Sequence, residues 1–259
     1  FGFRPGRGCK DALREVAALL AAGHLYIVDV DIRKYFDTIP HEALMARVEE
    51  QIADGRVLTL LRQFLTQGVL EDGQCTVPEA GTPQGGVIFP LLANVYLNPL
   101  DHLLLRQGYP AVRYADDLVI LCRTRAEAAA ALDLLRAWMA AAGLALHPEK
   151  TRIVEMTVPG AFFDFLGYRF KQTARRLVRF PRPRSLGQLR EAVRPLTRRT
   201  HGCSLPVIIR RVNRVLCGWY EYFQHSCPNV FADVDGWVRM RLRSILRKRQ
   251  HRRGRGRGR

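Results

Sequence analysis

The chain has 259 residues, a formal net charge of +17 and a hydrophobic fraction of 47%, which suits a globular protein with a sizeable core and one or two domains. No apolar run approaches the roughly 18–20 residues that span a bilayer; "VAALLAAG" (16–23) reads as part of a short amphipathic helix, without the basic region or cleavage site of a signal peptide. The six cysteines form no CxxC pair and have no zinc-site spacing, so a reducing, cytosolic compartment without disulfides is expected.

The chain opens on "FGFRPGRG", which reads as the middle of something longer. Residues 10–22 place Leu13, Val16, Ala17 and Leu20 at helical spacing, with Gly23 as the stop. "HLYIVDVDI" (24–32) is β-branched and aromatic, hence a strand. "DTIPHEALMARVEEQI" (37–52) has capping residues and Pro40 near its start and predicts one helix; 56–67 predicts another. "GTPQGG" (81–86) is a loop, and 87–106 a long apolar helix. "AVRYA" and "LVILC" are two short apolar runs around Asp116 and Asp117, a hairpin with both aspartates at its tip. Residues 125–143 predict a helix ending at Gly143, and strands follow near 151–155, 163–170 and 176–180. Strands and helices interleave throughout, so 1–180 is expected to be an α+β domain.

The texture changes at Pro181. "PRPR" is a stiff link. Helical patterns near 185–199, 205–224 and 230–249 predict a second, all-helical domain over 181–250, and the Arg/Gly tail 251–259 predicts disorder. Residues 171–259 hold 24 Lys+Arg against 4 Asp+Glu. A field that strong implies a polyanionic partner, nucleic acid ahead of a membrane surface. The plainer alternative is a solvated arginine-rich face.

Why should a basic chain place two carboxylates side by side? Each resists ionisation beside the other, and a bound divalent cation removes that cost. Oxygen donors favour Mg²⁺. "YIVDVDIRKYFD" supplies two more acids, Asp29 and Asp31, on one face of a strand. If that strand lies beside the hairpin, Asp31 faces Asp116. Otherwise Asp31 only caps the turn that follows.

These motifs carry a resemblance. "YADD" between apolar strands resembles the active-site hairpin of reverse transcriptases, "DVDIRKYFDTIPHEAL" the motif with the other catalytic aspartate, and "GTPQGGVIFPLLANVYL" the loop and helix between them. "GFRPGRG", "LHPEKT" and "FDFLGYRF" complete the expected order. The chain is similar to the group II intron reverse transcriptase/maturase family: a polymerase palm with a remnant of fingers over 1–180, then a basic helical thumb. The resemblance implies an RNA-directed DNA polymerase that uses two Mg²⁺ ions (Mn²⁺ as a substitute), an RNA template, a DNA or RNA primer, dNTPs and intron RNA, with no membrane partner. A non-catalytic RNA-binding maturase is the alternative.

Residue by residue, the resemblance makes Asp31, five before Phe36, and the pair Asp116 and Asp117 the catalytic and metal-binding residues. Asp29 and Asp37 are left structural. Phe36 looks like the steric gate against a 2′-hydroxyl; without the family it would be an ordinary core ring. Gln84 and Gly85 resemble residues that touch the nascent base pair. Lys150 resembles the lysine near the triphosphate. Phe165, Leu166, Gly167 and Tyr168 resemble the hairpin that grips the primer end, the primer grip. Trp219, Tyr220 and Phe223 fit a helical core better than base stacking, so RNA contact falls to arginines such as Arg198, Arg199, Arg210, Arg211 and Arg214. Phe89 departs from the small polar residue usual in the family. The N-terminal fingers and an endonuclease segment after residue 250 have no counterpart, so a fragment is expected.

Overall fold

The computed structural model describes residues 1–67, 69–71, 74–76, 80–82, 86–174 and 176–250, without the side chains of 69–71 and 74–76. The chain divides into two compact units, Phe1–Thr157 and Val158–Arg259.

The first unit opens with α1 (Cys9–Ala21), which buries Leu13, Val16 and Leu20 at helical spacing. Strand β1 (Tyr26–Val30) follows. The single helix expected over 37–52 is two: α2 (Tyr35–Thr38) and α3 (His41–Glu49), separated by Ile39 and Pro40 in extended conformation. The cause is Pro40, whose ring drives the residue before it out of the helical region. Helix α4 (Gly55–Leu65) starts on Asp54, whose side chain accepts from the backbone N–H groups of Arg56 and Val57. A short hairpin, β2 (Val69–Glu71) and β3 (Gln74–Thr76), lies where no strand was expected. Helix α5 (Phe89–Arg106), strands β4 (Ala111–Tyr114) and β5 (Asp117–Cys122), helix α6 (Arg125–Ala141) and strand β6 (Arg152–Glu155) complete the unit.

The sheet runs β4-β5-β1-β6, all antiparallel. Alternation sorts its side chains between two faces. Val28, Val30, Leu118, Ile120 and Cys122 join the core formed with α3, α5 and α6. Val119 and Leu121 turn the other way and are also fully buried; α1 packs against β4 and β5. Both faces are therefore covered, which leaves the strand ends as the places where polar chemistry can reach solvent.

The second unit is wider than the all-helical stretch expected over 181–250. It begins with a three-stranded antiparallel sheet, β7 (Phe162–Phe165), β8 (Tyr168–Gln172) and β9 (Leu177–Pro181). The run read from its side-chain pattern as one strand over 163–170 is thus a hairpin, as the resemblance at 165–168 implies. Its turn residues, Leu166 and Gly167, have φ of 47° and 80°, the positive pair a two-residue turn needs to match strand twist. The sheet falls with the helices because its aromatics pack there: Tyr168 lies 4.9 Å from Phe223, and its hydroxyl donates to the Tyr222 carbonyl across 2.5 Å. Helices α7 (Pro183–Leu196), α8 (Leu205–Phe223) and α9 (Asn229–Arg249) follow. Their apolar stripes meet through Leu189, Val193, Ile208, Val212, Val234 and Val238. The Arg/Gly tail lies outside the described residues. Among the described residues no helix is long and apolar enough to cross a membrane.

Candidate active site

Strand β4 reaches Tyr114, pairs it with Asp117, and turns through Ala115 and Asp116. The hairpin tip is therefore Ala115–Asp116, and Asp117 is the first residue of β5 rather than part of the tip. Ala115 takes φ of 56°, an unfavourable value for a residue with a Cβ. Something must hold it there.

The holder is Arg113, a guanidinium buried to 5% exposure in a strand of apolar residues. Its Nη1 donates to the Ala115 carbonyl and to Asn94 Oδ1, both across 2.9 Å. Its Nε and Nη2 grip both carboxylate oxygens of Asp101 in a fork. Asn94 and Asp101 both lie on α5. The turn that presents Asp116 is thus tied to the longest helix of the first unit. Sequence reasoning missed this group, although one arginine inside "AVRYA" is a readable sign of a buried charge that needs partners.

Asp31 arrives from the neighbouring strand. The last β1–β5 pair is Val30 with Leu118, so Asp31 is the next residue along, beside the Asp116–Asp117 corner. A second segment secures it. The Asp31 carbonyl accepts from the His147 N–H across 2.8 Å, and Ile32 bridges to Leu146. Thr151 Oγ1 lies 3.3 Å from both the N–H and the carbonyl of Asp31. These ties place "LHPEKT" against the acid, and Lys150 Nζ donates to Asp31 Oδ2 across 3.3 Å.

The electrostatics agree with a shared site. Burial pushes the Asp116 carboxyl above its ordinary range, and the negative charge of Asp31 pushes the same way; a backbone hydrogen bond and the Arg113 charge pull it back. Asp29, one turn of the pleat earlier, lies 3.7 Å from Arg152 instead.

Do these residues fit a metal ion? Among the described residues no group of three or more His, Cys, Asp or Glu side chains is already arranged to hold one. The donor chemistry fits nonetheless. The donors are carboxylate oxygens, Asp116 is held where ionisation is costly, and the cation beside Asp31 is a half-exposed ammonium that a divalent ion can displace.

The remaining expected residues are distributed as follows. Phe36 sits in α2, half-buried and edge-on to Tyr35 at 5.3 Å. Gln84 and Gly85 lie outside the described residues. Phe89 is buried at the start of α5, and a Cβ at Gly86 would come within 2.3 Å of its ring. Phe165, Leu166, Gly167 and Tyr168 form the β7–β8 turn of the second unit, where Tyr222 Oη donates to the Leu166 carbonyl across 2.8 Å. Arg198, Arg199, Arg210, Arg211 and Arg214 are all exposed on that unit.

Two family models match this chain: reverse transcriptase (RNA-dependent DNA polymerase) over residues 1–170, and group II intron, maturase-specific domain, over 186–259. The chain belongs to the group II intron reverse transcriptase/maturase family. This family member is 32% identical to Protein YkfC of Escherichia coli (strain K12) over 208 residues, covering 65% of the chain and 54% of that protein. It is 40% identical to the group II intron-encoded protein LtrA of Lactococcus lactis subsp. cremoris over 105 residues, 40% of the chain and 17% of that protein. The chain thus spans about half or less of these relatives' lengths. Among solved structures, apo telomerase from Candida tropicalis shares the fold, with a TM-score of 0.52 at 14% identity over 92% of the chain and 48% of the telomerase chain. In the reverse transcriptase/maturase chain, both matched regions carry residues described above: the carboxylate corner in the first, the exposed arginines in the second.

Proposed function

We propose that this chain catalyses RNA-templated DNA synthesis, transferring a nucleotidyl group from a dNTP to the 3′-hydroxyl of a DNA or RNA primer. The observation that carries the reading is the arrival of Asp31 beside the Asp116–Asp117 corner, across a register fixed by five β1–β5 pairs. Asp31, Asp116 and Asp117 would hold the two Mg²⁺ ions. When bound, these supply activation of the primer hydroxyl and stabilisation of the pyrophosphate leaving group.

The protein's own groups orient the reactants. Arg113 fixes the turn that aims Asp116. Lys150 stands at Asp31, where its ammonium can offset phosphate charge or deliver a proton to the leaving group. The Phe36 ring would exclude the 2′-hydroxyl by repulsion, and the Phe165–Tyr168 turn would hold the primer end. Asp116→Ala tests the reading: Mg²⁺-dependent primer extension by the intact protein vanishes. Extension at the parent rate refutes it.

A second role is compatible with the first. The maturase-specific match and the exposed arginines support binding to intron RNA. Neutralising Arg210, Arg211 and Arg214 together should impair intron splicing; unimpaired splicing removes this role.

A further inference from the structure

Phe36 rides on a support too small to stand alone. Helix α2 is four residues long, and a single helical turn fixes more backbone than its hydrogen bonds repay. It enters through Lys34 at φ of 46° and leaves through extended Ile39. Its position must come from tertiary ties.

One tie lies below. The Tyr35 ring is buried, and its hydroxyl donates to the Ala93 carbonyl of α5 across 2.5 Å. The others come from the start of the "GTPQGG" loop. The Thr82 N–H donates to the Phe36 carbonyl across 2.6 Å, and Thr82 Oγ1 donates to the same oxygen across 3.3 Å. The Gly81 N–H donates to the Ile39 carbonyl across 2.8 Å. A ring nitrogen of His41, Nε2, lies 2.6 Å from the Gly81 carbonyl, and Ala80 bridges to Pro40. Gly81 adopts φ of 88°, and a Cβ there would fall 2.7 Å from the Asp37 carbonyl carbon. Only glycine allows both that conformation and that approach. Thr82 is almost wholly buried, with its hydroxyl on the Phe36 carbonyl.

We propose that Gly81 and Thr82 are positioning residues for sugar selection, holding the backbone of Phe36 so that its ring excludes ribonucleoside triphosphates. The inference rests on the steric-gate reading of Phe36. Repulsion rises steeply with small displacements, so a gate discriminates only as well as its backbone is held.

The test compares incorporation of ATP and dATP opposite the same template base by the intact protein, as a ratio of kcat/KM values. That ratio is independent of the fraction of active protein. Gly81→Ala should raise the ATP/dATP ratio about threefold or more, and Thr82→Val should raise it less, because the backbone bond survives. Phe36→Val is the reference. In a Phe36→Val background, Gly81→Ala should add nothing, because the ring it positions is gone.

The outcomes separate the two readings. If Phe36→Val leaves the ratio unchanged, the gate reading falls and takes this inference with it. If Phe36→Val raises the ratio while Gly81→Ala and Thr82→Val do not, only the positioning role is overturned. An equal effect of Gly81→Ala with and without Phe36 overturns it too, since the loop would then act by another route.

Discussion

Lys150 and Asp31 form an ion pair across 3.3 Å although 119 positions separate them in the chain. Both side chains are half-exposed, so solvent screens their attraction and the pair adds little to stability. Under the proposed function, its place at the carboxylate corner gives it another use. Lys150→Met should change the unfolding free energy by less than about 1 kcal/mol. Primer extension should fall about tenfold to hundredfold if the ammonium serves the triphosphate. Thermal melting and single-turnover extension on the same preparation check both halves; unchanged extension removes Lys150 from the site.

Arg113 offers the opposite balance. Its guanidinium is buried, and its removal takes the donor from Asn94 Oδ1 and the Ala115 carbonyl while leaving the part-exposed Asp101 carboxylate to Arg4. Arg113→Met should cost about 2–4 kcal/mol, the scale for two buried acceptors left without their donor. Adding Asp101→Asn should recover little of that loss, because Arg4 still pairs with that carboxylate and the two acceptors stay without a donor. Denaturant titrations of the three proteins decide the matter. A single variant as stable as the parent would show that the turn does not need its arginine.

Cys122 gives a pH signature. It is buried in β5 at 1% exposure, and burial, followed by the charge of Glu127, pushes its thiol up from 9.0 to about 11. The folded chain therefore holds this proton more tightly than the unfolded chain. Its stabilising contribution is complete below the unfolded value and is lost as pH rises from about 9 through about 11. Relative to Cys122→Val, the parent should lose stability between about pH 8 and about pH 10.5. Parallel stability curves for the two proteins would refute the burial argument.

The exposed arginines of the second unit should act through charge alone. Arg210→Ala with Arg214→Ala should weaken binding to RNA of any sequence. The slope of log K against log salt should shrink by about 0.7–0.9 for each phosphate that is no longer neutralised. A salt slope equal to the parent's would show that these side chains face solvent and not RNA.

Much of this was legible before any coordinates. Helices α1, α4, α5 and α6 follow from apolar spacing and stops, and the "YADD" hairpin follows from two apolar runs flanking a polar pair. These features are local, since a few neighbouring residues set their period and their ends. The misses have local causes of a different kind. Pro40 broke one expected helix, a two-residue turn at Leu166 and Gly167 folded one expected strand in two, and Asp117 joined β5 instead of the tip. In each case a single backbone restriction outweighed the side-chain pattern.

By itself the sequence determined which residues could do the chemistry, because residue type and order along the chain are intrinsic to it. Tertiary structure alone decided which of them meet. Strand pairing brought Asp31 to the Asp116 corner, the "LHPEKT" segment carried Lys150 to Asp31, and Arg113 found partners on α5. Those encounters depend on register and on the satisfaction of buried polar groups, long-range conditions that no short stretch of residues encodes.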